Sequence, residues 1–143
     1  TLSIALAIEN IIKSKILLLD IDNDIKKFVL FRIDKHNLNR DISVHDVITF
    51  SENNICNALY CIDVLEHIEK SSDTLINKIH PMIKQNGILY LKAPWRGQLT
   101  HIDSAAIDFY YNGGRHFLRE KYTLLSRVQP IDIACLYKKT RSQ

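Results

Sequence analysis

Two acids and an imidazole, Asp63, Glu66 and His67, stand around two aliphatic residues in the segment Asp63-Val64-Leu65-Glu66-His67. A histidine with an unperturbed pKa of about 6.5 can remove a proton near neutral pH, so His67 is a candidate general base. The same turn could instead serve packing and hydrogen bonding within its own loop. Asp20 closes the apolar run Lys15 to Ile21 (KILLLDI). A carboxylate is an acceptor only and can take two hydroxyl donors, each charged hydrogen bond being worth roughly 1.5–3 kcal/mol. Asp20 or Asp22 could equally cap the helix that begins nearby. Asp46 can accept from an amino group while the Val47 N–H gives to a ring nitrogen, or it can be a solvated turn aspartate. Trp95 could stack on a planar group and Arg96 could grip a carboxylate or phosphate bidentately, with His101 beside them. The plainer reading of that stretch is an exposed loop with one half-buried aromatic. Cys56, Cys61, His67 and His101 fit no zinc spacing, so no metal is expected. There is no G-x-S-x-G elbow and no G-x-x-x-x-G-K-[ST] loop, which removes support for hydrolase and P-loop chemistry.

These residues need elements to position them. Asn57 to Ile62 is a short apolar run suited to a parallel strand covered on both faces. Ser71 and Ser72 offer helix caps, and Leu75, Ile76, Ile79, Met82 and Ile83 recur at helical spacing. Asn86-Gly87 tolerates a left-handed C-terminal turn, and Ile88 to Lys92 is a second strand stopped by Pro94. Pro81 lies inside the helical run, where it removes a donor and clashes with the preceding turn; the helix should bend or restart there. Strand, helix, strand implies a parallel pair with a right-handed crossover, and ligands of such sheets sit beyond the carboxyl ends of the strands. Earlier in the chain, Thr1 to Lys13 reads as a buried helix. Asn23 should cap a helix from Asp24 to about Lys35, with Ile25, Phe28, Val29 and Ile33 inward. Ile42 to His45 reads as a strand with Asp46 at its end. Later, Asp103 or Ser104 should cap a helix through Tyr111, ended by Asn112-Gly113-Gly114, with Tyr110 and Tyr111 packing it. Tyr122 to Arg127 and Ile131 to Lys138 read as two strands across Gln129-Pro130. The alternation of helix and strand says α/β, in three layers.

The run CIDVLEHI, an amphipathic helix and then KQNGILYLKAP resemble the second half of class I S-adenosylmethionine-dependent methyltransferases. The likeness is to the small-molecule type that carries D-V-L-E-H after the fourth strand. It implies a Rossmann-like methyltransferase sheet, mostly parallel with an antiparallel C-terminal hairpin, and a single partial domain over 1–143. It also implies an N-terminal truncation: Thr1 to Ala7 resembles the helix just after the family's glycine-rich loop. The first strand would then lie between the strands ending at Asp20 and at Ile62. By the same resemblance Asp20, with Ile21, holds the cofactor ribose, Asp46 and Val47 face the adenine, and Asp63 lies beside the methionine half. Together Asp20, Asp46 and Asp63 should converge on a crevice shaped for a nucleoside. Trp95, Arg96 and His101 fall where a small-molecule methyl acceptor would enter. Asn57 departs from the family's usual aspartate and is given no catalytic role.

The 143 residues suffice for one core, and 46% hydrophobic with 24% charged residues is an ordinary globular balance. A net charge of +3, with Lys and Arg spread along the chain, is not a nucleic-acid footprint. No apolar run reaches the roughly 20 residues a bilayer span needs, so no membrane is expected. Three scattered cysteines fit reduced thiols in a cytoplasm-like compartment. The expected function is methyl transfer from S-adenosyl-L-methionine to a small molecule. The alternative is a degenerate methyltransferase-like domain acting as a non-catalytic interaction module, with a dimer or partner docked at an exposed sheet edge. A nicotinamide-dependent Rossmann enzyme would leave the D-V-L-E-H segment and the closing hairpin without a role.

Overall fold

A computed structural model of the chain describes residues 7, 9, 13–20, 23–93, 103–127 and 134–140. They form two compact units, Thr1–Phe50 and Ser51–Gln143. Each unit contains its own sheet.

In the first unit, β1 (Ile16–Asp20) pairs in parallel with β2 (Ile42–Asp46), from Ile16 opposite Ile42 to Asp20 opposite Asp46. The crossover is α1 (Asp24–Lys35). Its start follows from Asn23, whose Oδ1 accepts the Lys26 N–H at 2.9 Å. Asp24 in the first turn and Arg32 and Lys35 in the last complement the helix dipole. Asn37, at φ 55°, turns the chain out of the helix. Ala7, Val29, Ile33 and Ile42 form the core, with Ile16, Leu18, Leu38 and Val44 packed on it. Two residues expected inward are not: Ile25 is 64% and Phe28 59% exposed. A two-stranded sheet offers a helix a narrow apolar surface, and Val29 with Ile33, one turn apart, covers it. Of the helix expected at Thr1 to Lys13, Ala7 is helical and buried; most of the rest lies outside the described residues.

The second unit holds β3 (Cys56–Ile62), a 3-10 turn (Leu65–His67), the helical run α2 over 71–82 and β4 (Ile83–Lys92). Then come α3 (Asp103–Tyr111), α4 (Gly114–Lys121), β5 (Tyr122–Arg127) and β6 (Ala134–Lys139). The sheet order is β3-β4-β6-β5. β3 and β4 are parallel, while β6 runs antiparallel to both β4 and β5, the expected C-terminal pair. Leu65, Leu75, Ile83, Leu89 and Cys135 are among its most buried side chains. β3 departs from the two-sided burial its sequence suggests. Cys61 is buried, but its neighbours Tyr60 and Ile62 are 72% and 44% exposed. The strand therefore alternates, with one face inward.

α2 changes register as Pro81 requires. A π-helical turn over Leu75–Ile79 precedes a short α piece, His80–Met82, with Pro81 in its first turn. The His80 N–H reaches back to the Leu75 carbonyl, and the helix resumes where proline's missing donor is not needed. The helix stops at Met82, earlier than Asn86-Gly87, because its last carbonyls are taken by other partners. The Asn54 N–H donates to Pro81 and the Ile55 N–H to Met82, at 2.8 and 2.9 Å. Residues 84–87 then form an irregularity between the pairs Cys56–Ile83 and Ala58–Ile88. Asn86 is left-handed there, at φ 63°. Gly87 must be glycine: a Cβ would lie 2.7 Å from Ile83 Cγ2 and 2.8 Å from the Lys84 carbonyl oxygen.

Candidate functional site

Asp20 and Asp46 occupy the last register position of a parallel pair. Neighbouring strands lie about 4.8 Å apart, so the two carboxyl groups rise from adjacent points on one edge. The turn after β2 locks Asp46. Its Oδ1 accepts the Ile48 N–H at 2.7 Å and the Thr49 N–H at 3.4 Å, while its carbonyl accepts the Phe50 N–H at 3.0 Å. Asp46 thus acts as a turn aspartate through Oδ1, which aims its other oxygen. The Val47 N–H, expected to face a ring nitrogen, instead donates to the Asp20 carbonyl at 3.0 Å and extends the pairing of β1 with β2. A ring nitrogen would have to displace that bond. Ile21 lies outside the described residues.

In the second unit the carboxyl end of β3 is marked by Asp63. Its φ of 52° is a left-handed conformation that aspartate tolerates. The Asp63 N–H donates to the Lys92 carbonyl at 2.9 Å, and Lys92 Nζ lies 3.3 Å from Asp63 Oδ2. With side chains 39% and 50% exposed, this ion pair orients Asp63 more than it stabilises the fold. In the following 3-10 turn Leu65 and Glu66 are buried and His67 is exposed. Glu66, one of the two acids of this segment, is 1% exposed, and neither of its carboxyl oxygens has a hydrogen-bond partner among the described residues. Such burial is costly and so asks for a partner. Burial, with the Glu66 carboxyl nearby, pushes the Cys61 thiol up to about 12, so Cys61 is no nucleophile. Trp95, Arg96 and His101 lie outside the described residues.

Two polar clusters grip the ends of α2. At its start Asp108, from α3, accepts the Ser72 N–H at 2.6 Å and the Ser71 hydroxyl at 3.3 Å. The Ser71 hydroxyl also lies 2.7 Å from the Ala105 carbonyl, and that of Ser72 donates to the Asp108 carbonyl and accepts the Gly114 N–H. Burial works to raise the Asp108 pKa, but the hydrogen bonds from Ser72, Asn112 and Ser71 outweigh it and hold it low. At the end of α2, buried Lys139 of β6 donates to the His80 and Ile83 carbonyls at 2.9 and 2.8 Å, and Cys56 Sγ lies 3.3 Å from the Met82 carbonyl. His80 Nδ1 meets the Tyr122 hydroxyl at 2.9 Å. Burial, then the positive charges of Lys139 and Lys121, lower His80 to about 4.

Among the described residues no group of three or more His, Cys, Asp or Glu is placed to hold a metal. None of their helices is long and apolar enough to cross a membrane. A nucleoside needs acceptors for its ribose hydroxyls and its base amino group. Two adjacent carboxyl groups on one strand edge fit that need.

No family model and no curated protein matches the chain. Solved structures do. A candidate S-adenosyl-L-methionine-dependent methyltransferase of Methanococcus maripaludis aligns at TM-score 0.56 and 15% identity, over 96% of this chain and 85% of that one. TYW2 of Pyrococcus horikoshii, solved in complex with MeSAdo, aligns at 0.57 and 13%, over 98% of this chain and 53% of that one. The N-methyltransferase NodS of Bradyrhizobium japonicum aligns at 0.53 and 15%, over 89% and 74%. At these identities the likeness establishes architecture: the chain has the Rossmann-like α/β fold found in S-adenosylmethionine-dependent methyltransferases.

Proposed function

We propose that the protein is an S-adenosyl-L-methionine-dependent methyltransferase acting on a small molecule. The observation that carries this reading is the in-register pair of acids, Asp20 and Asp46, at the carboxyl ends of parallel strands. In this reading Asp20 accepts the ribose hydroxyls, and the oxygen of Asp46 not held by Ile48 and Thr49 accepts the adenine amino group. Ile21 and Asp63 keep their expected parts in holding the cofactor. When bound, the cofactor supplies a methyl group activated on a sulfonium. The protein then has mainly to align the acceptor in line with that methyl and keep water out. No obligatory base follows from this chemistry; His67, exposed on its turn, would take a proton where the acceptor must lose one. Trp95, Arg96 and His101 are assigned to the acceptor. We place the enzyme in a reducing, cytoplasm-like compartment, in keeping with the free thiols of Cys56, Cys61 and Cys135.

Calorimetric titration of S-adenosylhomocysteine into the protein tests the proposal. Asp20→Ala should weaken binding by about tenfold to a hundredfold, the worth of one charged hydrogen bond. Binding unchanged in Asp20→Ala would sink the assignment.

A further inference from the structure

Asparagine precedes glycine twice in the chain, at Asn86-Gly87 and at Asn112-Gly113. This dipeptide carries a reaction of its own. The glycine amide nitrogen attacks the asparagine Cγ, a five-membered imide closes, and ammonia leaves. Water then opens the ring at either carbonyl, giving aspartate or the backbone-extended isoaspartate. The net change is amide plus water to carboxylate plus ammonium, with no oxidant and no cofactor. Glycine favours it because no side chain hinders the attacking nitrogen, and asparagine is accordingly a thermolabile residue.

The fold separates the two sites. Gly87 is buried in the irregular stretch 84–87 between paired positions of β3 and β4, where even a Cβ would clash with Ile83 and the Lys84 carbonyl. Its peptide has no room to swing onto the Asn86 side chain. Asn112 is exposed and follows the last residue of α3. Gly113 stands at φ 109° with nothing within 4 Å of the place a Cβ would take. Ring closure there displaces no packed group.

Asn112 also has a partner that matters. Its Nδ2, the nitrogen that leaves, donates to Asp108 Oδ1 at 3.1 Å. Oδ2 of the same carboxylate accepts the Ser72 N–H and the Ser71 hydroxyl, and the Gly114 N–H donates to Ser72 Oγ at 3.0 Å. Deamidation replaces the Asn112 donor by a second carboxylate, four residues from the first, where like charges repel. Isoaspartate further lengthens the backbone between α3 and α4 by one methylene. The new charge disfavours the C-terminus of α3 and favours the N-terminus of α4 by comparable amounts, so its repulsion of Asp108 decides the outcome. We propose that Asn112-Gly113 is a self-modifying site whose deamidation loosens the start of α2, while packing keeps Asn86-Gly87 unreactive. The inference uses none of the residues assigned to methyl transfer.

Ageing the full chain at mildly alkaline pH, then mapping its peptides by mass spectrometry, tests it. The peptide holding Asn112 should gain the mass of the amide-to-acid change and split into aspartyl and isoaspartyl forms. The peptide holding Asn86 should convert at least about tenfold more slowly, because a packed site reacts only from its locally opened fraction. In denaturing urea the two rates should converge. Amide exchange at Ser72 should rise about threefold or more in the aged protein, through a lost bond to a charged group and an added like charge. Asn112→Gln, which would need a slower six-membered closure, should abolish both changes on ageing. If that variant does not fold, the urea comparison and the wild-type exchange carry the test. No conversion at Asn112, equal rates at the two sites in the folded protein, a rate difference that persists in urea, or Ser72 exchange unmoved by conversion would overturn the proposal.

Discussion

The helices α1 and α2 end in opposite ways. α1 is closed by its neighbours in sequence: Asn23 caps its start, and the His36 N–H donates to Arg32 and Asp34 at its finish. α2 has no side-chain cap of its own at the start. Its first turn is capped by Asp108, 36 residues away, and its last carbonyls by Lys139, 59 residues from His80. Each remote group carries the sign the helix dipole prefers, an acid at the N-terminus and a base at the C-terminus. A helix with local caps has its end groups satisfied within its own segment. One with remote caps is stable only once the sheet and α3 stand beside it. This makes the ends of α2 dependent on α3 and β6, and those of α1 on residues next to it in sequence.

The largest expected effect tests the remote end. Lys139→Met keeps the side-chain volume and takes the ammonium from the Ile83 carbonyl and from that of His80, which still accepts the Ile83 N–H. It should cost about 3 kcal/mol in denaturant unfolding, reduced somewhat by relief of the buried ammonium. If it costs no more than loss of a local cap, the contrast between the helices collapses. His80 comes next. Its pKa is about 4 in the folded protein and about 6.5 unfolded, so on acidification the unfolded chain takes up the proton first. Stability from this group is complete above pH 6.5 and declines as pH falls towards 4. The loss should be on the order of 1–2 kcal/mol, since the ring is only half-buried. His80→Gln should flatten that window in melting curves taken from pH 7 to 4. Asp108→Ala removes the acceptor for the Ser72 N–H and should cost about 1–2 kcal/mol, with amide exchange rising first in the opening turn of α2. The smallest effect belongs to Asn23→Ala, about 1 kcal/mol, with faster amide exchange confined to the first turn of α1.

The same contrast explains what could be read from residues alone. α1 was legible over Asp24–Lys35 because its cap, Asn23, lies next to it in sequence. The register change at Pro81 was legible because proline's missing donor is a local fact. The finish of α2 was not: Asn86-Gly87 looked like its stop, but Asn54, Ile55 and Lys139 claim its carbonyls sooner. In the candidate site, the acids at the strand ends, Asp20 and Asp46, were visible as apolar runs closing on a carboxylate. The burial of Glu66 was not, because Asp63, Glu66 and His67 are alike polar in sequence and only the 3-10 turn sends one of them inward. The engagement of the Val47 N–H also depends on a neighbouring strand that spacing cannot reveal.

Lys139 carries one last implication, for the order of events during synthesis. A nascent chain that has emerged only as far as α4 has made every residue of α2 but still lacks the ammonium that seals its carbonyl end. The middle of the protein must therefore wait, half-finished and open to chaperones, until the closing strand leaves the ribosome.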